Sequence, residues 1–286
     1  MNSYMEKLAA FILNKNFNVY NIAVIEGDGE PQVLRMQPCN KLNDTYSSAK
    51  AFCVTAVGML YDRGLLKPED RIVDIFREEL PEGMDPRWEK TTLHMLMKHQ
   101  AGFGGRYMDI DRADSHQYGE DWLKSCLTAP LDYTPGEGGR YSDASYYLVA
   151  RAVEKAAGED INLFLSHELF VPAKFEQWAW STDPQGHPHG GSCIYLTTGD
   201  YAKLGAIYMN GGTYRGHRYL SEEWVRIVLE RGYEMKPLME GTDVYGKGGM
   251  HGQKLAVQPG ARRVVAVHGH GPYGDALEEW LCKNPE

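Results

Sequence analysis

Two strand-turn-strand patterns near opposite ends of the chain constrain its fold more than any other feature. NVYNIAVIEGDGEPQVLRM, residues 18–36, reads as two strands joined at Asp28-Gly29, a hairpin signal. HGQKLAVQPGARRVVAVHG, residues 251–269, does the same around Pro259-Gly260. Between them lies a long stretch that is mainly helical in pattern. A hairpin needs partners to bury its apolar face. Two hairpins separated by helices therefore predict one antiparallel sheet built from both ends of the chain, interrupted by a helical insertion.

The helical signals lie where that arrangement requires them. Met5, Leu8, Ala9, Phe11 and Ile12 mark one face of an amphipathic helix ahead of the first hairpin. Ala49, Phe52, Cys53, Ala56, Val57 and Leu60 recur at helical spacing until Gly64. TTLHMLMKHQ is expected to form a second helix ending at Gly102, and Ser145 to Ala157 a third that stops at Gly158. DALEEWLCK closes the pattern. The segment 103–121, rich in glycine and aspartate, is expected to be a lid or binding loop, with Asp109, Asp111 and Asp114 solvated. The regions so defined are 1–46 with 187–286 for the sheet and 47–186 for the helical part. They are expected to form one compact unit with the active site at their junction.

With 286 residues, the chain is long enough for one or two domains. A net charge of −9 argues against nucleic acid or an acidic membrane surface as partner, because both select a basic face. No apolar run approaches membrane-spanning length, and the first residues lack the pattern of a secretory leader. Cysteines 39, 53, 126, 193 and 282 show no C-x-x-C spacing and read as reduced, mostly packed thiols. A cytoplasmic location follows as the expectation; the sequence leaves the oligomeric state open.

The chemistry begins at DTYSSAKAF, residues 44–52. Ser47 and Lys50 stand S-x-x-K, close to one helical turn apart, so hydroxyl and amine share a face. A lysine one turn from a serine can serve as its base if the amine is neutral. The same residues also fit a capping serine and a surface lysine. Three longer segments bear on the choice: TYSSAKAFCVTAVGMLYDRGLL, PGEGGRYSDASYYLVARAVEKAAG and GGSCIYLTTGDYAKLGAIYMNGGTYRGHRYLSEEWV. In this order they resemble the serine β-lactamase and penicillin-binding-protein superfamily, and within it the class C β-lactamase-like esterase branch. The likeness runs from about residue 40 to about 268.

That resemblance implies a β-lactamase/transpeptidase-like α+β fold, an α/β sandwich, and a serine hydrolase acting through an acyl-enzyme. Ser47 would be the nucleophile, favoured by the helix N-terminus, and Lys50, desolvated, would take its proton. Tyr141 resembles the family tyrosine that passes the proton to the leaving group, its phenol aided by the ammonium groups of Lys50 and Lys247. Lys247-Gly248-Gly249 stands where the family has Lys-Thr-Gly opening a strand, although glycine-rich strand starts are common in themselves. The oxyanion hole would be the backbone amides of Ser47 and Met250.

Two positions depart from the family pattern. Asp143 replaces an asparagine, so an amide donor gives way to a group that, ionised, only accepts. Gly248 lacks the hydroxyl of Lys-Thr-Gly. Both favour a small ester or amide over an anionic β-lactam. The alternatives are a D-amino-acid peptidase or β-lactamase, and a catalytically silent ligand-binding relative. A small-molecule substrate and no cofactor or metal are expected: His187, His189, His268 and His270 have spacings that could bind zinc but no acidic or cysteine partner at ligand spacing, and read as surface loop histidines. His251 either tunes the site or packs against a strand. Tyr107, Trp178 and Trp180 suit a pocket wall or a core.

Overall fold

A computed structural model of the chain describes residues 3–109 and 114–285. In chain order the strands are β1 Val19–Glu26, β2 Gln32–Arg35, β3 Asn43–Asp44, β4 Trp178–Trp180, β5 Ile194–Leu196, β6 Thr213–Tyr214, β7 His217–Arg218, β8 Lys236–Pro237, β9 Tyr245–Gly248, β10 Lys254–Gln258 and β11 Arg263–Gly269. The helices are α1 Ser3–Asn14, α2 Ala49–Asp62, α3 Ile72–Ile75, α4 Leu93–Met97, α5 Trp122–Thr128, α6 Asp143–Ala157, α7 Ile161–Leu165, α8 Thr198–Met209, α9 Glu222–Arg231 and α10 Gly274–Lys283. The chain divides into two compact units. The first comprises Met1–Phe52, Leu169–Ala179 and Ile194–Glu286, the second Cys53–Glu168 and Trp180–Cys193.

The first unit contains the sheet expected from the two ends of the chain, in the order β2-β1-β11-β10-β9-β8. Neighbours along it run antiparallel: Ile22 stands opposite Leu34 on β2 and Val267 on β11, and Leu255 opposite Ala266 and Lys247. β1, β10 and β11 are buried almost throughout, so they read as apolar runs rather than alternating ones. One face takes Ile22, Val24, Ala256, Val265 and Val267, which form a core with Leu8 and Ile12 of α1 and Leu277 and Leu281 of α10. The other face carries α8. Its Gly205 lies so close to the sheet that a Cβ would stand 2.6 Å from Val264 and 3.1 Å from Leu255, so only glycine allows the approach. Helices on both faces make this the α/β sandwich foreseen.

The second unit is built around α6, buried from Asp143 to Val153. The hydroxyl of Tyr147 donates to Asp183 Oδ2 at 2.7 Å. Arg151, only 5% exposed at its side chain, pairs with Glu79 at 3.3 Å and Glu154 at 3.1 Å. His187 donates from Nδ1 to the same Glu154 at 2.9 Å, which fixes the 180–193 segment. A buried guanidinium costs several kcal/mol unless paired in this way.

Several expectations are corrected in detail. The TTLHMLMKHQ helix is shorter than expected: α4 stops at Met97 and His99 adopts a left-handed backbone, φ 55°. Asp109 is buried rather than solvated, and Asp114 caps a short 3₁₀ turn through the His116 amide at 3.0 Å; Asp111 lies outside the described residues. His189 and His268 are buried rather than surface residues, because their neighbours close over them from elsewhere in the sequence. Tyr107 stacks on Phe103, Trp178 packs on Phe170, and Trp180 donates to Ser192 O at 2.9 Å. All five cysteines are free thiols and only Cys39 is part-exposed.

Candidate active site

Ser47 lies on a 3₁₀ turn, Tyr46–Ser48, that feeds directly into α2. The turn is anchored on its N-terminal side. Thr45 donates to Ile194 O through both its amide (3.0 Å) and its hydroxyl (3.2 Å), and Asp44 Oδ1 accepts from the Tyr46 amide at 2.7 Å. Tyr46, immediately before the serine, has φ 48°, a conformation that side chains with a Cβ adopt only under constraint.

The two serines of the turn have different fates. Ser48 is fully buried, accepts from the Tyr201 hydroxyl at 2.6 Å and lies 3.5 Å from Lys247 O. Ser47 is part-exposed. Lys50, one turn on, is fully buried in side chain, and its Nζ donates to Ser47 Oγ at 3.4 Å. The hydroxyl and amine singled out by spacing are therefore within hydrogen-bond reach, and the neighbouring hydroxyl is committed to a structural network.

Strand β9 runs beside this turn. A Cβ on Gly249 would stand 2.2 Å from Thr45 O, so the absence of a side chain there lets the two segments meet. Lys247 and Gly248 close β9 rather than opening the hairpin that follows, and a 3₁₀ turn, Met250–Gly252, joins β9 to β10. A Cβ on Gly248 would stand 2.9 Å from the ammonium of Lys254. Met250 is 38% exposed. His251 is on the turn, not on a strand. Its backbone is left-handed (φ 57°), and its ring lies edge-on to Tyr46 at 5.1 Å and stacked on His270 at 4.1 Å.

Lys247 does not present a bare positive charge. Its ammonium pairs with Glu234, and both side chains are buried. Behind the serine turn, Tyr201 stacks on His268 at 5.2 Å, and His268 Nδ1 lies 2.9 Å from Thr198 Oγ1. Complete burial drives the His268 pKa down to about 3, so the ring is neutral. Its Nε2 has no hydrogen-bond partner among the described residues.

Tyr141 and Asp143 belong to the second unit. Tyr141 is 40% exposed and its carbonyl accepts from the Arg106 amide at 2.9 Å. Ser142 caps α6 through the Ala144 amide at 3.2 Å and donates from its hydroxyl to Tyr107 O at 2.8 Å. Its own amide donates to His99 Nδ1 at 3.4 Å. Asp143 opens α6 and is buried, where the helix N-terminus favours a negative charge. Gly191 is packed against it: a Cβ there would stand 2.8 Å from that of Asp143.

Glu234 and Tyr201 beside the serine turn, and His99 in the second unit, are residues that spacing alone does not reveal. Glu234 sits in RGYEMKPL, which has no periodic pattern, and neither Tyr201 nor His99 neighbours the serine, the tyrosine or the Lys-Gly-Gly in sequence.

Comparison with known proteins identifies the family. The Beta-lactamase family matches residues 27–281. The chain belongs to that family. The 6-aminohexanoate-dimer hydrolase of Paenarthrobacter ureafaciens is 25% identical over 255 residues, covering 77% of this chain. The chain spans 64% of that relative's length. Two solved structures share the fold: a family VIII carboxylesterase (TM-score 0.74, 18% identity, 96% of this chain and 95% of that one) and a D-stereospecific amidohydrolase from Streptomyces sp. (TM-score 0.72, 15% identity, 100% of both). Among the described residues no helix is long and apolar enough to cross a membrane.

Proposed function

We propose that this protein is a serine hydrolase that cleaves small neutral esters or amides through an acyl-enzyme on Ser47. The observation that carries the reading is the 3.4 Å approach of the buried Lys50 amine to a part-exposed Ser47 hydroxyl. Ser47 Oγ attacks the substrate carbonyl carbon while its proton passes to neutral Lys50. The backbone amides of Ser47 and Met250 receive the oxyanion. Tyr141 relays the proton to the departing alcohol or amine, which leaves as the C–O or C–N bond breaks. Water then attacks the acyl-enzyme and restores Ser47.

The activities of the relatives, a dimer hydrolase, a carboxylesterase and an amidohydrolase, favour acyl transfer of this kind. Asp143 in place of an amide donor weighs against β-lactams, whose carbonyl would lose its donor. A fluorophosphonate is expected to add once, at Ser47, and the protein to hydrolyse a short p-nitrophenyl ester but not a chromogenic cephalosporin. Labelling that survives Ser47→Ala overturns the mechanism. Efficient cephalosporin turnover would favour a β-lactamase, and no labelling at all a silent binder.

A further inference from the structure

Glu234 has a geometry that packing alone does not account for. It follows Gly232, the left-handed residue (φ 65°) that ends α9, and is itself left-handed at φ 62°. Two tight turns hold it there: its amide donates to Gly232 O at 3.0 Å, and that of Met235 to Tyr233 O at 2.7 Å. A glutamate gains nothing intrinsic from this backbone, and non-glycine residues persist in it only where their surroundings impose it. The result is a carboxylate, only 4% exposed, paired with Lys247. Lys247 in turn lies on the strand beside the serine turn, its carbonyl 3.5 Å from Ser48 Oγ and 3.4 Å from the Tyr201 hydroxyl.

We propose that Glu234 is a specificity-determining residue: by neutralising Lys247 it removes the positive charge that would draw a carboxylate-bearing substrate, and so restricts the enzyme to neutral or cationic acyl groups. This rests on the reading of Ser47 as the acylated residue. An unpaired ammonium at low exposure attracts an anion strongly, because water screens it little. Paired with an equally buried carboxylate, it presents a dipole whose field falls off faster than that of a charge. The pair cancels the net charge of Lys247.

The test compares two esters of equal chain length and identical leaving group, p-nitrophenyl hexanoate and mono-p-nitrophenyl adipate. Wild-type protein is expected to prefer the hexanoate, and Glu234→Gln to raise the adipate-to-hexanoate ratio of kcat/KM by about tenfold or more. A ratio that stays within about threefold overturns the inference. Should the variant not fold, the wild type still decides. Its kcat/KM for the adipate is expected to stay level or rise between ~20 and ~500 mM NaCl, and a fall would reveal an unneutralised cation and overturn the inference. Fluorophosphonate labelling of Ser47 in the same samples separates the two levels. Labelling with an unchanged ratio defeats only the role of Glu234, whereas wild-type protein that does not label defeats the acyl-enzyme as well.

Discussion

The imidazole of His99 and the phenol of Tyr141 face each other with ring centroids 4.3 Å apart and planes tilted by 32°. His99 is held for this by its left-handed backbone and by the Ser142 amide, which donates to Nδ1 at 3.4 Å. It therefore fixes both the ring of Tyr141 and the first turn of α6. With Tyr141 as the proposed proton relay, His99 is a positioning residue and should affect turnover more than binding. His99→Leu is expected to lower kcat about tenfold with KM little changed, and His99→Asn, which keeps an acceptor, to recover part of the loss. Equal effects of both variants on kcat and KM would assign the histidine to packing alone.

The division of labour between adjacent serines is open to a direct test. Ser48→Ala leaves the Tyr201 hydroxyl buried without its closest partner and should cost about 1–3 kcal/mol in urea unfolding. It should still label at Ser47. Ser47→Ala is expected to have the opposite profile, with stability near that of the wild type and no labelling.

Lys50 offers a further separation of chemistry from folding. Lys50→Met replaces a buried amine with an apolar chain of similar length, so the protein should fold. Acylation is nevertheless expected to slow by about a hundredfold or more, the scale for loss of a general base, and Tyr141→Phe to behave similarly. Pre-steady-state release of p-nitrophenol measures both. Near-normal bursts would show that the proton of Ser47 leaves by another route.

His268 gives the stability a pH dependence of predictable sign. Its pKa is about 3 in the fold, against about 6.5 when exposed, so the unfolded chain binds the extra proton first. Stability is complete above about pH 6.5 and declines as the pH falls toward 3. At pH 5 the loss from this one group is about 2 kcal/mol. Urea midpoints at pH 7.5 and pH 5 measure it. His268→Phe, which cannot titrate, should show a flatter profile by about that amount.

The architecture was more legible in the sequence than the electrostatics. Hairpin punctuation and apolar periodicity are local signals, and Asp28-Gly29, Gly64 and Gly158 each end an element near where the structure does. The Ser47–Lys50 pair was legible for the same reason, since one helical turn fixes its distance. Glu234, Tyr201 and His99 were not, because each acts on a residue brought to it by tertiary folding. His268 shows the limit most clearly. HGHG reads as a polar loop, yet its first histidine ends a central strand beneath α8 and becomes one of the most buried groups in the chain.

The pairing of β1 with β11 also bears on how the protein is made. Val24 finds its partner in Val265, some 240 residues later, and contacts so distant in sequence slow folding because loop closure must precede them. On the ribosome, at ~5–20 residues per second, β1 can pair with β2, but its other edge waits for β11 until residues 263–269 have emerged. Most of the second unit, Cys53–Glu168, comes from one continuous stretch and can collapse during that interval. Nascent chains halted before residue 263 should therefore bind chaperones through β1 and lose that affinity once β11 is released.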